Sequence, residues 1–150
     1  MSSKPAMHIV DGPNGKRVTV TAVVDETNRM VVAERVQRAD TFMTRLIGLL
    51  GRDRLGEGEA LWISPCKGIH TMGMRFPIDA VFLDPSMRVV EVRERVAPWR
   101  ATRFVRGATS VLELSAGAVG RTGVSKGDQL SFLEPEPGSG LAWREHDTDL

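Results

Sequence analysis

The stretch that decides the fold class is IDAVFLDPSMRVVEVRERV, Ile78 to Val96. Its first part predicts a strand with two apolar faces, made of Ile78, Ala80 and Phe82 on one side and Val81 and Leu83 on the other. Side chains alternate along a strand, so two apolar faces indicate that this strand is covered on both sides. After the Asp-Pro turn signal, residues 87–96 predict a second strand, in which Arg93 and Arg95 share a face exposed to solvent.

Further short strands are predicted on both sides of this stretch, each bounded by Gly, Pro or Asp signals. They lie at residues 30–36, 59–64, 68–76, 110–117 and 128–132, after an N-terminal hairpin over residues 7–24. The main helix is predicted at about 41–50, between a possible N-cap at Asp40 and a stop at Gly51, with a short helical turn near 116–122. The predicted fold is α+β, with a mostly antiparallel or mixed curled sheet, or a small barrel.

Length and composition predict one domain. The chain has 150 residues and is 41% hydrophobic, which is enough to bury a single core. We expect the β-rich domain to span residues 1–134 and residues 135–150 to form a flexible acidic tail, because that segment combines Pro, Gly and Ser with several acids. Without the segment from 134 onward, the chain carries 19 basic and 14 acidic residues, so the body is mildly basic.

The composition also argues against several classes of function. One cysteine excludes an intramolecular disulfide and a four-cysteine zinc site, and no HExxH or CxxC spacing is present, so no metal or cofactor is predicted. No run of about 20 apolar residues supports a membrane span, and we expect a cytoplasmic protein without a membrane partner. The basic residues do not form the dense stripe of a dedicated nucleic-acid binder. The sequence does not predict an oligomeric state.

Four segments carry a resemblance to a known family. They are RLIGLLGRDRL, SPCKGIHTMGMRFPIDAVFLD, VAPWR and VLELSAGAVGRTGVSKGDQLSF, which together extend over residues 45–132. In these segments the chain resembles the domain of unknown function family number 192, small bacterial and archaeal domains. The resemblance implies no agreed biochemical activity. GVSKGDQLSF also looks like the Gly-Asp turn of cradle-loop barrels, which bears on the fold alone.

Candidate site residues concentrate in the second and third segments. In GIHTMGMRF, strand alternation predicts that His70 shares a core face with Met72, Met74 and Phe76. A histidine at the edge of a core needs polar partners, which backbone carbonyls or a ligand would supply. Asp79, at the start of a covered strand, must be paired, and Arg75 is the nearest candidate in sequence. Two roles of Asp79 are compatible with the sequence: a structural brace and a catalytic acid.

The leading functional hypothesis is a small binding domain for an anionic or sugar-like ligand. Its predicted pocket is formed by His70, Arg75, Asp79, Trp99 and Arg100, because arginine grips anions in bidentate fashion and tryptophan stacks on rings. An alternative is a hydrolase or transferase with Cys66 as nucleophile, His70 as base and Asp79 as orienting acid. A lone cysteine after a proline is more often a packing residue, and Cys66 is more readily interpreted in that way. A third alternative is a protein-interaction module that uses the basic body and the acidic tail.

Overall fold

The computed structural model describes residues 9–11, 17–19, 21–39 and 53–133. Within these residues the chain forms nine strands and one short helix. The elements are β1 (Ile9–Asp11), β2 (Arg17–Thr19), β3 (Thr21–Asp25), β4 (Met30–Ala39), β5 (Glu59–Ile63), β6 (Ile78–Leu83), β7 (Val89–Val96), β8 (Ser110–Ser115), α1 (Ala118–Thr122) and β9 (Leu130–Leu133). The helix lies where the sequence predicts a helical turn.

Seven strands form one mixed sheet in the order β7-β6-β8-β5-β4-β3-β9. Strands β4 and β5 are parallel, and the other neighbours in this sheet pair antiparallel. The β-rich α+β class is therefore confirmed. The sheet is not closed, because its edge strands β7 and β9 meet only at one end, through an isolated bridge between Arg88 and Gln129. The barrel alternative is not supported.

Strand β6 lies between the two halves of the core, as its sequence predicts. All six of its residues are buried. One face, with Val81 and Leu83, packs in a cluster that includes Leu112 and Leu114. The other face, with Ile78, Ala80 and Phe82, packs in a second cluster that contains Met74 and Phe76. A strand whose two apolar faces each join a separate cluster is the pattern expected of a doubly covered strand.

The predicted strand at residues 68–76 is wrong. The chain makes a turn there, in which the Met74 N–H donates to the Thr71 carbonyl at 3.1 Å, and only His70 forms an isolated bridge, to Ala101. The predicted core face is confirmed only for Met74 and Phe76, which are buried, whereas Met72 is 43% exposed and Thr71, between His70 and Met72, is fully buried. The physical reason is that the buried Thr71 hydroxyl donates to the Ala97 carbonyl at 2.6 Å, which ties this residue to the next loop instead of a strand ladder.

Several predictions fall partly or wholly outside the described residues. These are the helix at about 41–50, the turn of the N-terminal hairpin and the tail at 135–150. The arms of the hairpin are described, and β1 pairs antiparallel with β2 from Ile9 opposite Thr19. The domain limits remain predictions. Across the described part of the chain, no helix is both long and apolar enough to cross a membrane.

Candidate functional site

Asp79 is the best-anchored polar side chain among the candidates. It lies in β6, is fully buried, and receives three backbone N–H groups. Its Oδ1 accepts from Arg95 in β7 at 2.8 Å, and its Oδ2 accepts from Gly117 at 3.1 Å and Val119 at 2.9 Å. A buried carboxylate is tolerated when its oxygens are hydrogen-bonded in this way. Asp79 therefore ties β7 and the start of α1 to β6.

The segment that Asp79 holds is the turn from Ser115 into α1. Gly117 precedes the helix with a φ of 93°, a left-handed conformation that glycine adopts readily. As a glycine, it has no side chain that could cap the helix. A Cβ at Gly117 would lie 3.1 Å from Nη1 of Arg121. Asp79 thus satisfies the first N–H groups of the helix from another strand, and the bare backbone of Gly117 leaves room for the Arg121 guanidinium.

An open cavity of about 520 Å³ lies beside this turn. It is lined by Arg35, Arg54, Leu55, Gly56, Glu57, Glu59, Ser115, Ala116 and Arg121. Arginines thus come from three separate parts of the chain: β4, the segment before β5, and α1. A smaller cavity of about 230 Å³ shares Glu57, Glu59 and Arg121 with it. Arg121 and Glu57 therefore border both spaces.

Hydrogen bonds fix two of these arginines. Arg121 donates from Nη2 to Ser115 Oγ at 3.0 Å and pairs through Nε with Glu57 Oε1 at 3.2 Å. Arg35 donates from Nη2 to the Glu57 carbonyl at 3.1 Å. The exposed Arg54 guanidinium has no ion pair within the described ranges. The cavity therefore presents two positioned guanidinium groups and one that is available to a ligand.

Three of the predicted site residues lie on two adjacent loops. These loops, residues 64–77 and 97–109, are joined by backbone hydrogen bonds, among them Thr71 N–H to the Arg100 carbonyl at 2.7 Å and Trp99 N–H to the Thr71 carbonyl at 3.0 Å. Because His70 bridges to Ala101, the structure brings His70, Trp99 and Arg100 to the same pair of loops.

The other predicted residues have different surroundings. Arg75 is exposed and pairs with Asp53 at 3.4 Å, so the predicted Arg75–Asp79 pair is wrong. Cys66 is half-buried against the second core cluster, and its thiol donates to the Gly68 carbonyl at 3.0 Å. The Cys66 alternative requires Asp79 to orient His70. Asp79 instead accepts hydrogen bonds from backbone N–H groups of β7 and α1.

The cavity arginines are functional candidates that sequence reasoning missed. Arg54 and Arg121 stand in two of the segments that carry the family resemblance, RLIGLLGRDRL and VLELSAGAVGRTG. That coincidence was the available signal. Arg35 gave none, because it lies in an ordinary strand and reaches the cavity only through the parallel pairing of β4 with β5, where it stands opposite Glu59.

A second cluster of ionisable groups lies away from the cavity. Asp25 is fully buried at the end of β3, and its Oδ1 accepts the Thr27 N–H at 2.9 Å. Burial, and then a hydrogen bond with the carboxyl of Asp128, raises the pKa of Asp25 to about 6. The same hydrogen bond lowers the pKa of Asp128. One proton shared between the two carboxyls explains both directions. In the described part of the chain, no group of three or more His, Cys, Asp or Glu is placed to hold a metal ion.

Comparison with known proteins settles the family. Residues 22–132, most of the chain, match the model of DUF192, described as an uncharacterized ACR. The chain belongs to the DUF192 family. Among DUF192-like relatives, a UPF0127 protein of Thermococcus sibiricus is 29% identical over 124 residues, covering 79% of each chain. A UPF0127 protein of Thermococcus kodakarensis is 27% identical over 119 residues, covering 76% of this chain and 74% of that protein.

Two solved structures share this DUF192 fold. A protein of unknown function from Novosphingobium aromaticivorans superimposes with a TM-score of 0.66 at 23% identity, covering 87% of this chain and 94% of the other. A putative transcription regulator from Sinorhizobium meliloti gives a TM-score of 0.60 at 22% identity, covering 75% and 91%. At these identities the likeness extends to the fold alone.

Proposed function

We propose that this DUF192 protein is a small binding domain for an anionic ligand, and that the ligand enters the cavity lined by Arg35, Arg54 and Arg121. The observation that carries the proposal is the convergence of three guanidinium groups and the Ser115 hydroxyl on one open space. Guanidinium groups bind carboxylates and phosphates in bidentate fashion, and hydroxyls add a directional hydrogen bond.

The local architecture supports this choice of ligand. Asp79 and Gly117 together hold the turn that carries Ser115 and leads to Arg121, and bonds to Ser115 and Glu57 position the Arg121 side chain. Pre-positioned groups lose less conformational entropy on binding. Glu57 lies within the same cavity, paired with Arg121, and an anion that binds here would compete with that ion pair. A small uncharged sugar, which could hydrogen-bond to the glutamates, is the alternative ligand.

The loop pair with His70, Trp99 and Arg100 is a second candidate position for the ligand. Its support is the joining of the two loops by hydrogen bonds through Thr71. The Cys66 alternative is not proposed, because Asp79 is committed to the backbone of β7 and α1.

Thermal unfolding with added anions tests the proposal. A ligand selective for the folded state stabilises it by about 2.7 kcal/mol at a hundredfold excess over Kd, which is a rise in Tm of about 5–10 °C for a domain of this size. We expect such a rise with at least one of inorganic phosphate, citrate and glucose 6-phosphate. Arg121→Ala should abolish it, and Arg54→Ala should reduce it, because both remove charge from the cavity.

Arg100→Ala is the matched control, since it removes an exposed arginine from the loop pair. It should respond to the anion as the wild type does. A response that survives Arg121→Ala and is lost in Arg100→Ala would move the site to the loops. A response to glucose equal to that with glucose 6-phosphate would show that charge is not what the cavity recognises, and no response to any of the anions would overturn the proposal.

A further inference from the structure

The two joined loops, residues 64–77 and 97–109, form a surface of unusual composition, which we call the loop surface. They contain five Lys or Arg residues, Lys67, Arg75, Arg100, Arg103 and Arg106, and no Asp or Glu, although Arg75 pairs with Asp53 from outside the loops. They also carry three of the four large apolar side chains that are exposed in the described residues: Met72 at 43%, Trp99 at 64% and Phe104 at 85%. Cationic and aromatic groups thus share one face of the molecule.

The loop surface is held by hydrogen bonds along its whole length. Backbone N–H groups of Cys66, Thr71, Thr102 and Val105 donate across the pair of loops, at 2.7 to 2.9 Å, to carbonyls on the opposite loop. The Ile69 N–H adds a bond to the Thr102 hydroxyl at 3.0 Å. Loops tied in this way present their side chains in fixed positions, which lowers the entropy lost when a partner binds.

Both aromatic residues are set in specific backbone environments. Trp99 has a φ of 61°, a left-handed conformation that is uncommon for a bulky side chain and is held here by its N–H bond to Thr71. Phe104 lies close to Gly68, where a Cβ would come within 3.0 Å of its ring. At 85% exposure, Phe104 keeps most of its ring accessible to a partner.

In the second loop, each exposed aromatic residue has an arginine as its neighbour in the sequence. Trp99 is followed by Arg100, Arg103 precedes Phe104, and Arg106 follows two residues later. No ion pair engages these three arginines within the described segments, so their charges are available to a partner. Aromatic rings stack on unpaired bases, and guanidinium groups bind phosphates and also stack on bases. An anionic membrane would match the charge, but it offers no planar group for the rings.

We propose that the loop surface binds single-stranded nucleic acid, with bases stacked on Trp99 and Phe104 and phosphates bound by Arg100, Arg103 and Arg106. The proposal departs from the sequence-based expectation of no clear nucleic-acid binding, which rested on the modest charge of the whole body. The structure brings together two loops that contain no acid of their own, and Arg100, Arg103 and Arg106 form no ion pair within the described residues. The proposal does not depend on a ligand in the arginine cavity.

Fluorescence anisotropy with labelled oligo(dT) and oligo(rU) of about 12 nucleotides, within the site sizes of small single-strand binders, tests the proposal. We expect binding that weakens steeply between about 50 and 200 mM salt, with the Arg103→Ala variant showing a smaller salt slope. Phe104→Leu keeps an apolar side chain but removes the ring, and it should lower affinity by about tenfold. Phe104→Tyr should retain the affinity of the wild type.

Matched controls lie elsewhere on the surface. Met30→Ala removes the fourth exposed apolar side chain, which is 46% exposed at the start of β4, and Lys126→Ala removes an exposed cation outside the two loops. Both should bind as the wild type does. Equal affinity of Phe104→Leu and wild type would overturn the proposal. Binding to anionic phosphatidylserine vesicles without binding to either oligonucleotide would also overturn it and assign the surface to a membrane.

Discussion

Asp79→Ala should lower the free energy of unfolding by about 3–5 kcal/mol, among the largest effects of a single substitution. The variant leaves the N–H groups of Arg95, Gly117 and Val119 without their acceptor at a fully buried position. Each unsatisfied buried donor costs about 1–3 kcal/mol, and water that enters the space would recover part of that cost. Denaturant unfolding followed by circular dichroism measures the change.

Asp84→Ala is the matched control for Asp79. The Asp84 carboxylate also accepts three hydrogen bonds, from the Ser86 N–H and hydroxyl and from the Arg88 N–H, but at a turn near the surface. Water can replace these bonds, so we expect a loss of about 1 kcal/mol. Faster hydrogen exchange at Gly117 and Val119 should accompany the Asp79 variant alone. Similar unfolding midpoints for the two variants, with similar m-values, would show that Asp79 is not the brace described here.

Asp25→Asn should remove a loss of stability that the wild type shows as the pH rises. Burial and the bond with Asp128 raise the pKa of Asp25 to about 6, above its value of 3.8 in the unfolded chain. The folded state therefore favours the protonated form, and this contribution is present in full below pH 3.8 and is lost as the pH rises through about 6. We expect the wild type to lose about 1.3 kcal/mol between pH 5 and pH 7 from this group.

Asparagine reproduces the neutral form of Asp25. Its side-chain oxygen can still accept from the Thr27 N–H, and its amide can donate to Asp128, so the variant should have a flatter stability profile over this pH range. Asp84→Asn serves as the control, because the pKa of Asp84 is lowered, chiefly by the Arg88 N–H, and that group titrates below the range. Thermal or urea unfolding at several pH values gives the comparison. A profile for Asp25→Asn as steep as that of the wild type would contradict the shared proton.

The sheet was predictable where apolar alternation is strong. Residues 78–83 carry two apolar faces. Both faces were assigned correctly because apolar side chains on either side of a strand must each be buried in a hydrophobic cluster. For residues 68–76 the same rule of alternation predicted a strand, and that prediction is wrong. The alternation arises from Met72 and Met74, but only Met74 is buried. What decides the conformation is the hydrogen-bonding of Thr71 to the loop at 97–100, a contact between distant residues that no local pattern encodes.

The candidate site was less predictable for a similar reason. Asp79 was identified as a buried carboxylate that needs partners, but its partners come from residues 16, 38 and 40 positions away in the chain. Sequence proximity suggested Arg75, whereas that guanidinium lies in solvent beside Asp53. The burial of Asp25 likewise depends on a distant turn, because the Glu26 N–H donates to the Gln129 carbonyl and the Gln129 N–H donates to the Thr27 hydroxyl. Contacts between segments that are distant in the sequence depend on the tertiary structure, and local sequence patterns do not predict them.

The strand order also determines when during synthesis the sheet can be completed. The outer edge of β3, near the start of the described sheet, is covered by β9, with Ala22 opposite Leu133. A nascent chain emerging from the ribosome therefore exposes an unpaired edge on β3 until almost the entire domain has left the exit tunnel. Exposed edges invite pairing with other chains, and contacts between distant residues form slowly. The risk of aggregation is therefore greatest before β9 has been synthesised. Chaperone binding to the open edge of β3 would protect the chain during that time.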